Sequence, residues 1–275
     1  MSDTANRPSS PSPTEGPRRV AAFFDLDKTI IATSSAAAFS RPFFAGGLIT
    51  RRDVLRSAYT HFIFMLGSAD AAQTERMRVH LSSLVSGWDV ATVSQIVAET
   101  IHEHIDPVVY SEAVELIEHH HHLGHDVVVV SASGAELVEP IAAVLGADHA
   151  IATRMKVADG RYTGEIEFYA YGENKAAGVR ELAQEHGYSL ASSYAYSDSV
   201  TDAPMLEAVG NAFVVNPDRG LRRIAAEQGW GVLTFARPVQ LRGGRWPTAA
   251  LVLGAGLAVA AGVVAYRAVA RRAAQ

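Results

Sequence analysis

Short apolar runs bounded by turn-forming residues recur along the chain at Val20 to Phe24 (VAAFF), Asp126 to Ser133 (DVVVVSAS), Ser193 to Ser199 (SYAYSDS), Asn211 to Pro217 (NAFVVNP) and Gly231 to Phe235 (GVLTF). Runs of this length without polar alternation read as buried parallel strands. Between them the apolar positions shift to helical spacing, over Ala135 to Leu145, Lys175 to His186 and Ala203 to Val209. Strands and helices in alternation predict an α/β fold, a doubly wound and mostly parallel sheet. One stretch departs from that pattern: RMKVADGRYTGEIEFYA alternates around Asp159-Gly160, a pair suited to a tight hairpin. That hairpin is expected to project from the main sheet.

Residues 34–117 carry no strand signal. Val54, Ala58, Phe62 and Met65 recur at helical spacing and Pro107 punctuates the end, so the segment reads as a helical cap inserted after the first strand. The core is then residues 20–33 and 118–240. Phe39, Phe43, Phe44, Phe62 and Phe64 make the cap aromatic and read as its interior. His119 to His122, with His125, read as a solvated helix end, because consecutive positions spread around a helix.

Both termini differ in composition from this core. Residues 1–19 are rich in Pro, Ser and Thr without an apolar run, and read as a disordered tail. The first apolar run is five residues long and enters charged DLD, too short for a secretory signal, which places the core in the cytoplasm by expectation. From Trp246 to Tyr266 there are 21 residues without a charge. As a helix they span roughly 31 Å, near the hydrocarbon thickness of a bilayer. Trp246 and Tyr266 sit at the two ends, as interfacial aromatics do, so the segment reads as a single transmembrane helix. Arg237, Arg242 and Arg245 precede it and Arg267, Arg271 and Arg272 follow, which leaves its orientation unassigned by charge.

Composition narrows the chemistry. The 275 residues contain no Cys, which excludes disulfides, zinc thiolate sites and thiol catalysis. A net charge of -5 gives no electrostatic reason to bind nucleic acid. What remains is oxygen, lysine and histidine chemistry. In FFDLDKT, Asp25 and Asp27 follow an apolar strand, and residues i and i+2 of a strand point the same way. Ligand sites of open α/β sheets lie at the carboxyl ends of strands, so two carboxylates are aimed into one crevice. That close they repel, unless a cation sits between them or one keeps its proton. A turn after a strand, where Asp is common, is the plain alternative for the pair alone.

Three further features weigh against the plain turn. SYAYSDSVTD places Asp198 and Asp202 after another apolar strand, VVVVSAS ends a strand on Ser131 with Gly134 opening a helix, and Lys175 starts a helix in GENKAAG. Together they supply oxygen ligands for a metal, a hydroxyl and helix amides for phosphate, and a fixed cation. With these motifs in order, the chain resembles the haloacid dehalogenase superfamily, and within it the branch containing phosphoserine phosphatases, over about Val20 to Val215. The TRMKVADGRYTGEI hairpin is also similar to that branch.

The resemblance implies a magnesium-dependent phosphatase. Asp25 would be the covalent nucleophile forming an aspartyl-phosphate, and Asp27 the general acid and base. Mg²⁺ would be held by the Asp25 carboxylate, the Asp27 carbonyl and the Asp198 carboxylate, with Asp202 supporting them. Ser131 and Lys175 would grip the phosphoryl oxygens. Asp27 also favours phosphatase over dehalogenase, because the dehalogenases of the superfamily lack a carboxylate there. The substrate would be a phosphorylated small molecule or a lipid headgroup phosphate. Enzymes of the phosphoserine branch usually carry Glu nine positions after the nucleophile to read an ammonium group; here Ser34 stands there, and a neutral hydroxyl does not offset a buried charge. Ser197 and Thr201 stand where Gly and Asn are common. A second reading, motivated by Ser34, is a membrane-tethered interaction module that keeps the fold without catalysis; the intact acidic set argues for the enzyme.

Overall fold

The computed structural model describes residues 19–49, 82–83 and 85–237. Strand β1 (Ala21–Asp25) leads into short helices α1 (Ser35–Ala38) and α2 (Ser40–Ala45). After α3 (Val90–His104) and a 3₁₀ turn at Asp106–Val108, helix α4 (Ser111–His122) runs across residue 117 and delivers the chain to β2 (Asp126–Gly134). There follow α5 (Ala135–Val144), β3 (His149–Ala158), β4 (Arg161–Phe168), α6 (Glu173–His186), β5 (Tyr194–Ser197), a 3₁₀ turn at Val200–Asp202, α7 (Ala203–Glu207), β6 (Asn211–Val215), α8 (Arg219–Gln228) and β7 (Gly231–Leu233).

The strands form one sheet in the order β4-β3-β2-β1-β5-β6-β7, parallel except for the β3–β4 pair. Every residue of β1 is buried, as expected of a central strand covered on both faces. Ala22 and Phe24 face one apolar cluster, Ala21 and Phe23 the other. Chain order turns back at β1, which has β2 on one side and β5 on the other. In sheets of this kind ligands bind outside the carboxyl ends of the strands at such a turning point, which here lies at the ends of β1 and β5.

The hairpin forms where the sequence places it. Asp159 and Gly160 have φ of 49° and 73°, the paired positive angles of a primed two-residue turn. Its first strand is longer than the alternation suggests. Val128 to Ser131 pair with His149 to Ala152 in parallel, and the same strand then continues into the antiparallel arm. The arm holds the cap: Gly87 N–H donates to Tyr162 O (2.8 Å), Tyr162 N–H to Trp88 O (3.0 Å) and Val90 N–H to Gly160 O (2.9 Å). Phe39 and Phe43 stack with ring centroids 6.0 Å apart and Phe43 meets Trp88 edge-on, so these aromatics form interior, whereas Phe44 is exposed.

The expectations for Val54, Ala58, Phe62, Phe64 and Met65, for the N-terminal tail and for the helix Trp246 to Tyr266 fall outside the described residues. Among the described residues no helix is long and apolar enough to cross a membrane.

The histidine run is not a uniformly solvated helix end. His120 is 1% exposed, its Nε2 2.8 Å from the Tyr196 hydroxyl and its Nδ1 2.9 Å from Nδ1 of His125. Its neighbours His119, His121 and His122 are exposed, because one position in the run faces the sheet while the others turn outward. Burial, and then the nearby His125, His119 and His121, push the His120 imidazole down to about 3. An unfolded imidazole titrates near about 6.5. The unfolded chain therefore binds a proton that the folded chain refuses, and stability falls as pH drops from about 6.5 towards 3. At pH 5 this amounts to ~2 kcal/mol. His120→Phe is expected to flatten the pH dependence of urea unfolding between pH 6.5 and 5 by about one proton; an unchanged slope would show that His120 takes up its proton within the fold.

Candidate active site

Asp25 is the last residue of β1, aligned with Val130 of β2, and Asp27 lies just beyond it. The intervening chain wraps tightly: Ile30 and Ile31 both donate their N–H to Leu26 O, and Lys28 takes a left-handed φ of 63°. Lys28 carries no sequence signal of that strain, since glycine is the residue that adopts such an angle freely.

The Lys175 ammonium bridges two carboxylates, donating to Asp25 Oδ1 at 2.6 Å and to Asp202 Oδ2 at 2.8 Å, and all three side chains are buried. Lys175 reaches that position from the first turn of α6, which the chain enters through Gly172 at φ 57°. Ser197, at the end of β5, donates its hydroxyl to the same Asp202 oxygen at 2.7 Å. The serine standing where glycine is common thus orients Asp202. Burial alone would push the Lys175 ammonium down, but Asp202 and Asp25 outweigh it and hold it above its ordinary value. One ammonium between two carboxylates leaves an excess negative charge. Accordingly burial pushes Asp25 up against the pull of Lys175, with Asp202 and Asp27 adding to the rise.

Asp27 belongs to a second network. Its Oδ1 accepts the backbone N–H of Ser35 at 2.9 Å, its Oδ2 faces the Ser133 hydroxyl at 3.4 Å, and the Ser35 and Ser133 hydroxyls are 2.7 Å apart. Burial pushes Asp27 up, partly offset by the bonds from Ser35. Ser34 is consumed locally: its hydroxyl caps α1 by accepting from Ala37 N at 3.2 Å. Ser131 is buried beside Asp27's partners, and its hydroxyl accepts from Ser133 N at 3.2 Å.

Asp198 opens the loop between β5 and α7. Burial pushes its carboxyl up to about 6, with Lys28 opposing and Asp202 reinforcing the rise. The loop is held from behind by Asp218: its N–H donates to Asp198 O at 2.9 Å, while its Oδ2 accepts from Val200 N at 2.9 Å and its Oδ1 caps α8 at Leu221 N, 2.7 Å away. The structure thus ties Asp25, Lys175 and Asp202 directly together, sets Asp27 beside them, and brings Asp198 within electrostatic reach. The sequence marks Ser197 as a departure from the family pattern without its bond to Asp202, and gives no sign of Ser35, Ser133 or Asp218.

The site suits a small divalent cation. Asp25, Asp27, Asp198 and Asp202 gather around Lys175, the one buried ammonium among the described residues, and burial raises Asp25, Asp27 and Asp198. Buried carboxyls raised in this way by desolvation keep their charge more readily beside a cation, which a bound metal would supply. Among the described residues no group of three carboxylate or imidazole side chains forms a complete metal cage. Magnesium asks for less, one or two carboxylates with water and substrate phosphate, and the Asp25 and Asp198 carboxylates with the Asp27 carbonyl could hold it on those terms.

A family model described as haloacid dehalogenase-like hydrolase matches residues 22–207, from β1 through α7. The chain belongs to the haloacid dehalogenase-like hydrolase family. It is 61% identical over 235 residues to a probable phosphatase of Mycobacterium tuberculosis, covering 86% of this chain and 82% of that one. It is 36% identical over 217 residues to a phosphoserine phosphatase of the same species, covering 78% and 70%. Among solved structures, a protein of unknown function from Bordetella pertussis superposes with a TM-score of 0.70 at 30% identity, covering 79% of this chain and 99% of that one. With this family and these relatives, the chain is a phosphatase.

Proposed function

We propose that this haloacid dehalogenase-family phosphatase hydrolyses phosphate monoesters through an aspartyl-phosphate on Asp25. The observation that carries the reading is the Lys175 ammonium joining Asp25 to Asp202 at the end of β1, with a second carboxyl, Asp27, two residues away. Lys175 holds Asp25 Oδ1, which fixes the side chain's rotamer and leaves Oδ2 for in-line attack on phosphorus. As the Asp25 oxygen bonds to phosphorus, the bond to the ester oxygen breaks and Asp27 in its acid form gives that oxygen a proton. Asp27, now a carboxylate, takes a proton from water, the water oxygen attacks the same phosphorus, and Asp25 leaves as a carboxylate. The balance is ester plus water to alcohol plus phosphate. Ser131 and Lys175 hold the phosphoryl oxygens. Mg²⁺, held by Asp25, Asp198 and the Asp27 carbonyl, would supply the positive charge the site lacks and stabilise charge building on those oxygens.

The substrate is a phosphorylated small molecule or a lipid headgroup phosphate. With Ser34 engaged as a helix cap, nothing at that position offsets a substrate ammonium group. The test is phosphate release by the purified full-length chain from a panel of amino-acid, sugar, aryl and lipid phosphates, with Mg²⁺ or with EDTA. Release dependent on Mg²⁺ supports the proposal; equal release in EDTA would remove the metal from it.

We propose from the sequence that residues 246–266 hold the protein at a membrane, with the phosphatase core on the cytoplasmic side. The support is sequence alone: an uncharged span of bilayer length flanked by Trp246 and Tyr266. The full-length protein is expected to stay with the membrane pellet through carbonate and high-salt washes. Release by either wash would reassign the segment to a packed or interfacial helix.

A further inference from the structure

The Asp27 carboxyl is held asymmetrically, and that asymmetry bears on which of its oxygens carries the working proton. On one side, Oδ1 accepts the backbone N–H of Ser35 at 2.9 Å. A backbone N–H only donates, so Oδ1 remains an acceptor whatever the charge of the group. On the other side, Oδ2 faces the Ser133 hydroxyl at 3.4 Å, and that hydroxyl is 2.7 Å from the Ser35 hydroxyl. Hydroxyls both donate and accept, so this side tolerates Oδ2 in either state. When Asp27 is a carboxylate, Ser133 donates to Oδ2 while Ser35 donates to Ser133. When Oδ2 carries the proton, the Ser133 hydrogen turns to the Ser35 oxygen and Oδ2–H is left to point into the crevice. A 3.4 Å contact is long for such a bond, as catalytic hydrogen bonds often are before substrate closes the site.

We propose that Ser133, backed by Ser35, is a positioning residue that makes Oδ2 of Asp27 the oxygen delivering the proton to the leaving group. The inference rests on Asp27 serving as the general acid. Its elements come from three places in the chain: Asp27 just after β1, Ser35 at the start of α1 and Ser133 near the end of β2. Ser35 begins the segment that leads into the cap, so the pair also ties the acid to the point where the cap leaves the core.

The test measures kcat/KM of the full-length protein for aryl phosphates of graded leaving-group basicity, from p-nitrophenyl to phenyl to p-methoxyphenyl phosphate. For an aspartyl-phosphate mechanism this quantity covers only the steps through phosphoryl transfer to Asp25, in which Asp27 acts as acid. A nitrophenolate departs without help, whereas the more basic phenolates need the proton. Ser133→Ala is expected to lower kcat/KM for the most basic leaving group about tenfold more than for p-nitrophenyl phosphate, the scale of one hydrogen bond to a charged group. Ser133→Thr, which keeps the hydroxyl, is expected to restore the wild-type slope, and Ser35→Ala to steepen it less. Thermal midpoints of the variants identify any loss of fold, and should Ser133→Ala fail to fold, the Ser35→Ala and Ser133→Thr slopes decide. A parallel fall across the series, or no fall, would overturn the positioning role while leaving the phosphatase reading intact. A wild-type protein inactive on every ester would overturn both.

Discussion

Asp25→Asn is expected to lower kcat/KM for every phosphate ester by about 10⁴-fold or more, the scale on which loss of a covalent nucleophile is felt. The amide keeps the shape of the carboxyl and still offers an oxygen to Lys175, so the defect is chemical. Burial already pushes the Asp25 carboxyl up in a crevice with excess negative charge. A neutral isostere removes part of that excess, and the thermal midpoint is expected to stay level or rise. Activity assays paired with thermal melts check both halves. Retained activity would place the nucleophile elsewhere, and a large fall in the midpoint would mean that lost activity reports on folding.

Lys175→Met is expected to cost stability as well as activity. Lys175 is the hub of the buried network, bonded to Asp25 at 2.6 Å and Asp202 at 2.8 Å. Removing one partner of a buried ionic network strands the others, at a cost of about 3–5 kcal/mol. The pH dependence gives the change a signature. Without its cation, Asp25, already raised by burial, holds a proton in the folded state more tightly than in the unfolded state. A group whose folded pKa lies above its unfolded value stabilises the fold at low pH and loses that contribution as pH rises through the folded pKa. The stability deficit of Lys175→Met is therefore expected to be largest at neutral pH and to shrink towards pH 5. Urea unfolding of wild type and variant at both pH values measures it, and a deficit independent of pH would show that Lys175 stabilises by packing alone.

How much of this was legible in the sequence follows from the range of each interaction. Asp25, Asp27, Asp198 and Asp202 stand just past apolar runs, and the end of a parallel strand fixes where the next residues project, so their convergence follows from local pattern. Lys175 is similarly set by its place in the first turn of a helix. The supports of those groups are another matter. Ser133 and Ser35 reach Asp27 across 106 and 8 residues of chain, and Asp218 reaches Val200 across 18. Asp218 already has a local purpose as the cap of α8, which hides its longer contact, and Ser35 and Ser133 carry no local pattern that marks them. His120 shows the same limit: its helical periodicity was readable, but not which residue of four consecutive histidines would face Tyr196. The double use of β3 escaped because alternation reports a half-exposed arm, while its first half, His149 to Thr153, is too short and too mixed with polar residues to stand out as a buried run.

Turnover by this chemistry requires a phosphoryl group to pass through Asp25, and that is directly measurable. The full-length protein is mixed with Mg²⁺ and p-nitrophenyl phosphate, whose leaving group departs without the proton from Asp27, quenched in acid during turnover, digested and mapped by mass spectrometry. The predicted result is a phosphoryl group on the peptide bearing Asp25 in the wild type, more of it in Asp27→Asn at early times because that variant cannot activate the water, and none in Asp25→Asn. A phosphoryl group on Ser131 or a histidine instead, or turnover that survives in Asp25→Asn, would contradict it.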